Sequence, residues 1–138
     1  MNSTKINVSA AAPVPITVRG DSAASISRAR RATRVFTDRL VPKPCPDVAD
    51  TLVLVVSELV TNALRHGDGA FTLRLNAHPD AVEVAVDDTS PRWPRARTPD
   101  VTGSGGGFGW PMVKRLARTT AVTRRAAGGK TVTAFVSR

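Results

Sequence analysis

Glu58, Asn62 and His66 stand four residues apart in a stretch that is otherwise rich in valine and leucine. On a helix each step of four advances about 40° beyond a full turn, so the three side chains form one polar stripe. Glu and Asn in the middle of an apolar helix cost free energy unless they face a partner or a wet cavity. The stripe is therefore either one wall of a site, or a solvent-facing strip with helix-end hydrogen bonds. Asp88 is a second candidate. It continues the alternation of Val82, Val84 and Val86 and so shares their inward side at the end of a strand. An inward carboxylate calls for a specific donor, and a hydrogen bond to a charged acceptor contributes about 1.5–3 kcal/mol. Asp88-Thr89-Ser90-Pro91 also reads as a turn opened by an Asx residue. A third candidate is Gly103-Ser104-Gly105-Gly106-Gly107-Phe108-Gly109, directly ahead of a helix. Glycines let backbone approach a phosphate closely, and a helix N-terminus adds free N–H groups and the positive end of the dipole. Pro111 suits a first helical turn. Arg92, Arg95 and Arg97 suit phosphate charge or a solvated loop equally well.

The elements that must position these residues follow from periodicity. Residues 1–12 lack a period and read as a tail. Pro13 to Arg19 alternates as a first strand, and Gly20-Asp21-Ser22 supplies a turn and an N-cap. A helix over Ala23 to Val41 gathers Ile26, Ala29, Val35, Phe36 and Leu40 near one stripe and is broken by Pro42, Pro44 and Pro46. Asp47 would cap a second, largely buried helix that runs to Arg65. Phe71–Ala77 and Val82–Val86 form a hairpin around His78-Pro79-Asp80. Residues 89–107 are long and irregular enough to suggest a functional lid. A third helix over Gly109 to Thr119 leads to a last hairpin, Ala121–Arg125 and Thr131–Val136, around Gly128-Gly129. The order β-α-α-β-β-lid-α-β-β implies an α+β two-layer sandwich. Its sheet would be mixed but mostly antiparallel and covered on one face by three helices. Residues 13–138 thus read as one domain.

Composition narrows the function classes. The chain has 138 residues, enough for one hydrophobic core without staples. Its longest apolar run, Leu52 to Val56, is far too short to span a bilayer. Only Lys5 precedes the short Ala-rich segment Ser9–Ala12, so no secretory signal is read. The single cysteine, Cys45, allows no internal disulfide and suits a reducing cytoplasm. A net charge of +9 favours anionic partners. Nucleic acid is not favoured, because tyrosine is absent, other aromatics are few, and neither a recognition-helix nor a zinc pattern is present.

Taken together the motifs resemble the nucleotide-binding boxes of the Bergerat-fold (GHKL) ATPases. The likeness is strongest to the anti-sigma-factor serine/threonine kinases among small actinobacterial ATP-binding regulators. The first box is Glu58-Leu59-Val60-Thr61-Asn62-Ala63-Leu64-Arg65-His66-Gly67. The second is Val84-Ala85-Val86-Asp87-Asp88-Thr89-Ser90-Pro91-Arg92, and the third Gly105-Gly106-Gly107-Phe108-Gly109-Trp110. Gly128-Gly129-Lys130-Thr131-Val132 is similar to the family's last hairpin. The resemblance covers about Val14 to Val136, and four boxes in this order are far more specific than any one of them.

The resemblance implies ATP with Mg²⁺ as the ligand. It makes Asn62 the Mg²⁺ ligand, Glu58 the general base and Asp88 the acceptor of the adenine amino group. Gly105, Gly107, Phe108, Gly109 and Trp110 would form the phosphate and lid side. His66, Ser90 and Thr131 would complete the ATP site. It implies transfer of phosphate to a STAS-domain anti-sigma-factor antagonist, contact with a sigma factor, and a possible homodimer. Four departures fall on the lid and the last hairpin, one of them Thr133, which sits where a second aromatic is often found. Ser90 replaces the usual glycine, Trp110-Pro111 stands where Leu and a small residue are typical, and Thr119-Thr120 replaces Trp-Gly. A non-catalytic ATP-sensing regulator is the alternative function that these departures leave open.

Overall fold

The computed structural model describes residues 14–66, 69–94 and 109–138. The expected tail at 1–12, residues 95–107 of the expected lid, and with them Gly105, Gly107 and Phe108, lie outside the described residues. The described elements are β1 (Ile16–Gly20), α1 (Ala23–Asp38), α2 (Pro46–His66), β2 (Phe71–His78) and β3 (Ala81–Asp88), followed by α3 (Gly109–Leu116), β4 (Thr119–Arg124) and β5 (Lys130–Ser137). The strands form one sheet in the order β1-β2-β3-β5-β4. Each pairing is antiparallel, including β3 with β5, so the mixed sheet allowed by the sequence has no parallel pair among the described strands. The α+β sandwich itself is as expected.

Strand alternation sets the core. Leu73 and Leu75 of β2, Val82, Val84 and Val86 of β3, and Val132, Ala134 and Val136 of β5 share a buried cluster with Leu52, Val55, Val56 and Val60 of α2. Full burial of a Val or Leu side chain contributes about 1.5–3 kcal/mol, so this layer dominates stability. Helix α2 packs against the sheet and against α1, whose Phe36 joins the same cluster. Being covered on two sides, it is apolar around most of its circumference. The buried Ser57 fastens the two helices. It accepts from Arg30 Nε at 2.8 Å and donates to the Val53 carbonyl at 2.7 Å.

Element ends differ from the sequence reading in physically simple ways. Helix α1 stops at Asp38, with Arg39 as its C-cap, because in a continued helix Pro42 would have no N–H for the Asp38 carbonyl and its ring would clash with it. Helix α2 begins at Pro46 rather than after an Asp47 cap. Proline tolerates the first helical position, and Asp47 then lies in the first turn, where its charge favours the dipole. Helix α3 ends at Leu116 rather than Thr119, because the Arg118 N–H already donates to the Phe135 carbonyl and starts the β4–β5 ladder. Beside it, the Arg118 guanidinium pairs with Asp80 on the β2–β3 turn and holds that carboxyl below the usual Asp range.

Candidate functional site

A cavity of about 420 Å³ lies between α2 and the sheet, within the range of small-molecule sites. Helix α2 contributes Leu59, Asn62, Ala63 and His66. The sheet contributes Val86 and Asp88 from β3 and Lys130 and Val132 from β5, and the segment after β3 adds Arg92, Trp93 and Pro94. The walls are thus apolar, with a few convergent polar groups. The stripe on α2 does face a cavity, through Asn62 and His66. Glu58 sits one turn earlier and half-buried, against the first residue of α3. A Cβ added at Gly109 would run into Glu58 Oε1, so glycine there lets the start of α3 close onto the carboxylate.

Asp88 is inward and buried, as its alternation predicts. It also opens the turn read from the sequence, since Oδ1 accepts the Ser90 N–H at 2.9 Å. Its main partner was not anticipated. Lys130 Nζ lies 2.9 Å from each carboxylate oxygen, and the two side chains are 6 % and 4 % exposed. Lys130 also donates to the Ser90 carbonyl at 3.2 Å. The antiparallel register places Asp88 and Lys130 directly opposite each other. Gly129, at φ +84°, allows the approach: a Cβ there would strike the Asp88 carbonyl and Thr89 Cα.

Thr131 is not brought to the cavity. Side chains alternate faces along a strand. Thr131 therefore points to the far side of the sheet and donates to Asp87, which Arg74 also pairs at 2.7 Å. Lys130 and Val132 take the cavity side instead. Trp110 packs against the core and lies 6.0 Å from Lys114 Nζ, a cation–π contact, rather than on the cavity wall. Ser90 is buried and acts through its backbone on Asp88 and Lys130, while its hydroxyl accepts the Arg92 N–H. Trp93 was not singled out from the sequence, because the loop that carries it has no period. A second depression of about 370 Å³ beside Arg19, Arg28 and Arg125 contains neither Glu58 nor Asn62.

The sequence profile of the histidine kinase-like ATPase domain matches residues 21–135, from the turn before α1 to the last strand. The chain belongs to that family. Membership makes ATP the ligand expected of this histidine kinase-like ATPase domain, and the cavity offers it apolar walls with polar groups on α2, β3 and β5. No curated protein matches the chain.

Proposed function

We propose that this ATPase domain is a cytoplasmic serine/threonine protein kinase of the anti-sigma-factor type. It would use ATP with Mg²⁺ and phosphorylate a STAS-domain antagonist to regulate transcription. The observation that carries the reading is the meeting of Glu58 with Gly109, one helical turn from Asn62 on the cavity wall. A carboxylate that meets a helix N-terminus, one turn along α2 from a cavity-lining amide, supports the reading, because these groups are the minimum equipment for phosphoryl transfer. The fit of each group supports it. The cavity is lined by Leu59, Ala63, Val86 and Val132, apolar surfaces suited to a purine. Among the described residues no three His, Cys, Asp or Glu side chains gather to hold a metal. Mg²⁺ tolerates this, because it binds through few protein oxygens and keeps phosphate and water ligands.

In this reading Asn62 supplies the protein ligand to Mg²⁺, which when bound neutralises phosphate charge. The start of α3 offers backbone N–H groups to the phosphates, and Arg92 adds positive charge from the cavity rim. Glu58 takes the proton of the attacking hydroxyl as the γ-phosphoryl group passes to that oxygen and ADP departs. Asp88 accepts from the adenine amine. The chain would also contact a sigma factor and pair as a homodimer.

The test is transfer of radiolabelled γ-phosphate to candidate STAS-domain antagonists by the wild type and by Glu58→Ala. A general base contributes about 10²- to 10⁴-fold, so the variant should lose transfer by that factor while still binding ATP. Wild type that binds ATP yet labels no antagonist would sink the kinase reading and leave the non-catalytic regulator.

A further inference from the structure

The buried Asp88–Lys130 pair has more hydrogen-bonding capacity than its internal contacts use. Asp88 accepts the Ser90 N–H and Lys130 on Oδ1, and Lys130 again on Oδ2. A carboxylate has about four lone-pair positions, so Oδ2 keeps one acceptor site. An ammonium group has three N–H bonds. The two oxygens of one carboxylate subtend too small an angle at nitrogen for two tetrahedral N–H bonds, so a single proton straddles them. A second goes to the Ser90 carbonyl. One N–H is left, on a residue that lines the cavity beside Asp88.

Both residues line the sheet wall of the cavity, so a spare acceptor and a spare donor are available there side by side. We infer that Lys130 is a base-reading residue. Its remaining N–H donates to the unprotonated ring nitrogen N1 of a 6-aminopurine, while Asp88 accepts from the neighbouring amine. This inference rests on ATP occupying the cavity, and it deepens that reading by adding a residue that determines specificity. Chemistry favours the match. The 6-aminopurine edge carries a donor next to an acceptor, the complement of what Asp88 and Lys130 offer. A 6-oxopurine in the same placement sets a carbonyl against the carboxylate and a ring N–H against the ammonium. Such a site rejects a ligand that leaves its buried polar groups unpaired.

The experiment is calorimetric titration of the full chain with ATP and with 1-deaza-ATP, in which N1 is replaced by C–H and the amine is kept. Wild type should prefer ATP at least tenfold, and Lys130→Met should reduce that preference to about twofold or less. Removing the lysine alone leaves a buried carboxylate without its cation, which can prevent folding. The double variant Asp88→Asn/Lys130→Met removes both charges, and the same ratio is read from it. A purely structural role for Lys130 would change affinity for both nucleotides together and leave the ratio alone. Equal binding of the two by wild type overturns the inference, as does a preference that survives loss of Lys130. Absence of binding by either nucleotide overturns the ATP site itself, a different result from lost discrimination.

Discussion

At the scale of single residues, parity decides what each side chain does. On β5 a shift of one position exchanges the two faces of the sheet. Lys130 thus reaches Asp88 in the cavity wall, while Thr131 reaches Asp87 on the far side. The inward position of Asp88 was legible from its alternation with Val82, Val84 and Val86. Lys130 was legible in the same way, since it shares parity with Val132, Ala134 and Val136, although burial of a lysine is uncommon enough to be passed over. Its partner was not legible, because the β3–β5 register is a long-range pairing with no local signal. Breaking a buried ion pair by removing one member costs about 3–5 kcal/mol. Lys130→Met should lower stability by that amount in urea unfolding. Asp88→Asn/Lys130→Met should recover much of it, because no unpaired charge remains.

At the scale of elements, the helices were readable because their apolar stripes are long. The α2 stripe of Glu58, Asn62 and His66 announced itself as polar positions on a helix otherwise buried. Which reading held for that stripe needed the sheet, because only packing shows that Asn62 and His66 face a cavity. Boundaries were less legible, since α1 and α3 stop where Pro42 and the β4–β5 ladder intervene. The β4–β5 turn sets the approach of β5 to β3. Gly129→Ala would force a left-handed backbone residue to carry a Cβ against the Asp88 carbonyl. Such strain costs about 1–3 kcal/mol. Urea unfolding should show a loss in that range. Gly128→Ala, also at positive φ but in open space, should cost less.

At the scale of the whole molecule, one core holds the three helices of the described residues against their five antiparallel strands, and the cavity lies between the two layers at Asn62 and Asp88. Among the described residues no helix is long and apolar enough to cross a membrane. The net charge of +9 suits a polyanionic nucleotide at the cavity as well as an acidic protein partner. The order of the elements along the chain was enough to suggest the architecture, and the four boxes to suggest the ligand. The opposed faces of the last hairpin required the folded sheet.

Binding of ATP in this cavity through Asn62 is checked by calorimetric titration of the full chain with ATP, with and without Mg²⁺, in wild type and Asn62→Ala. Asn62 is only half-buried, so the variant should fold. Wild type should bind one ATP per chain in a Mg²⁺-dependent way. Asn62→Ala should bind at least about tenfold more weakly, the loss of one strong contact or about 1.4 kcal/mol, and should lose the Mg²⁺ dependence. No saturable binding by wild type, or an unchanged Mg²⁺-dependent affinity in Asn62→Ala, would rule out an ATP site built on Asn62.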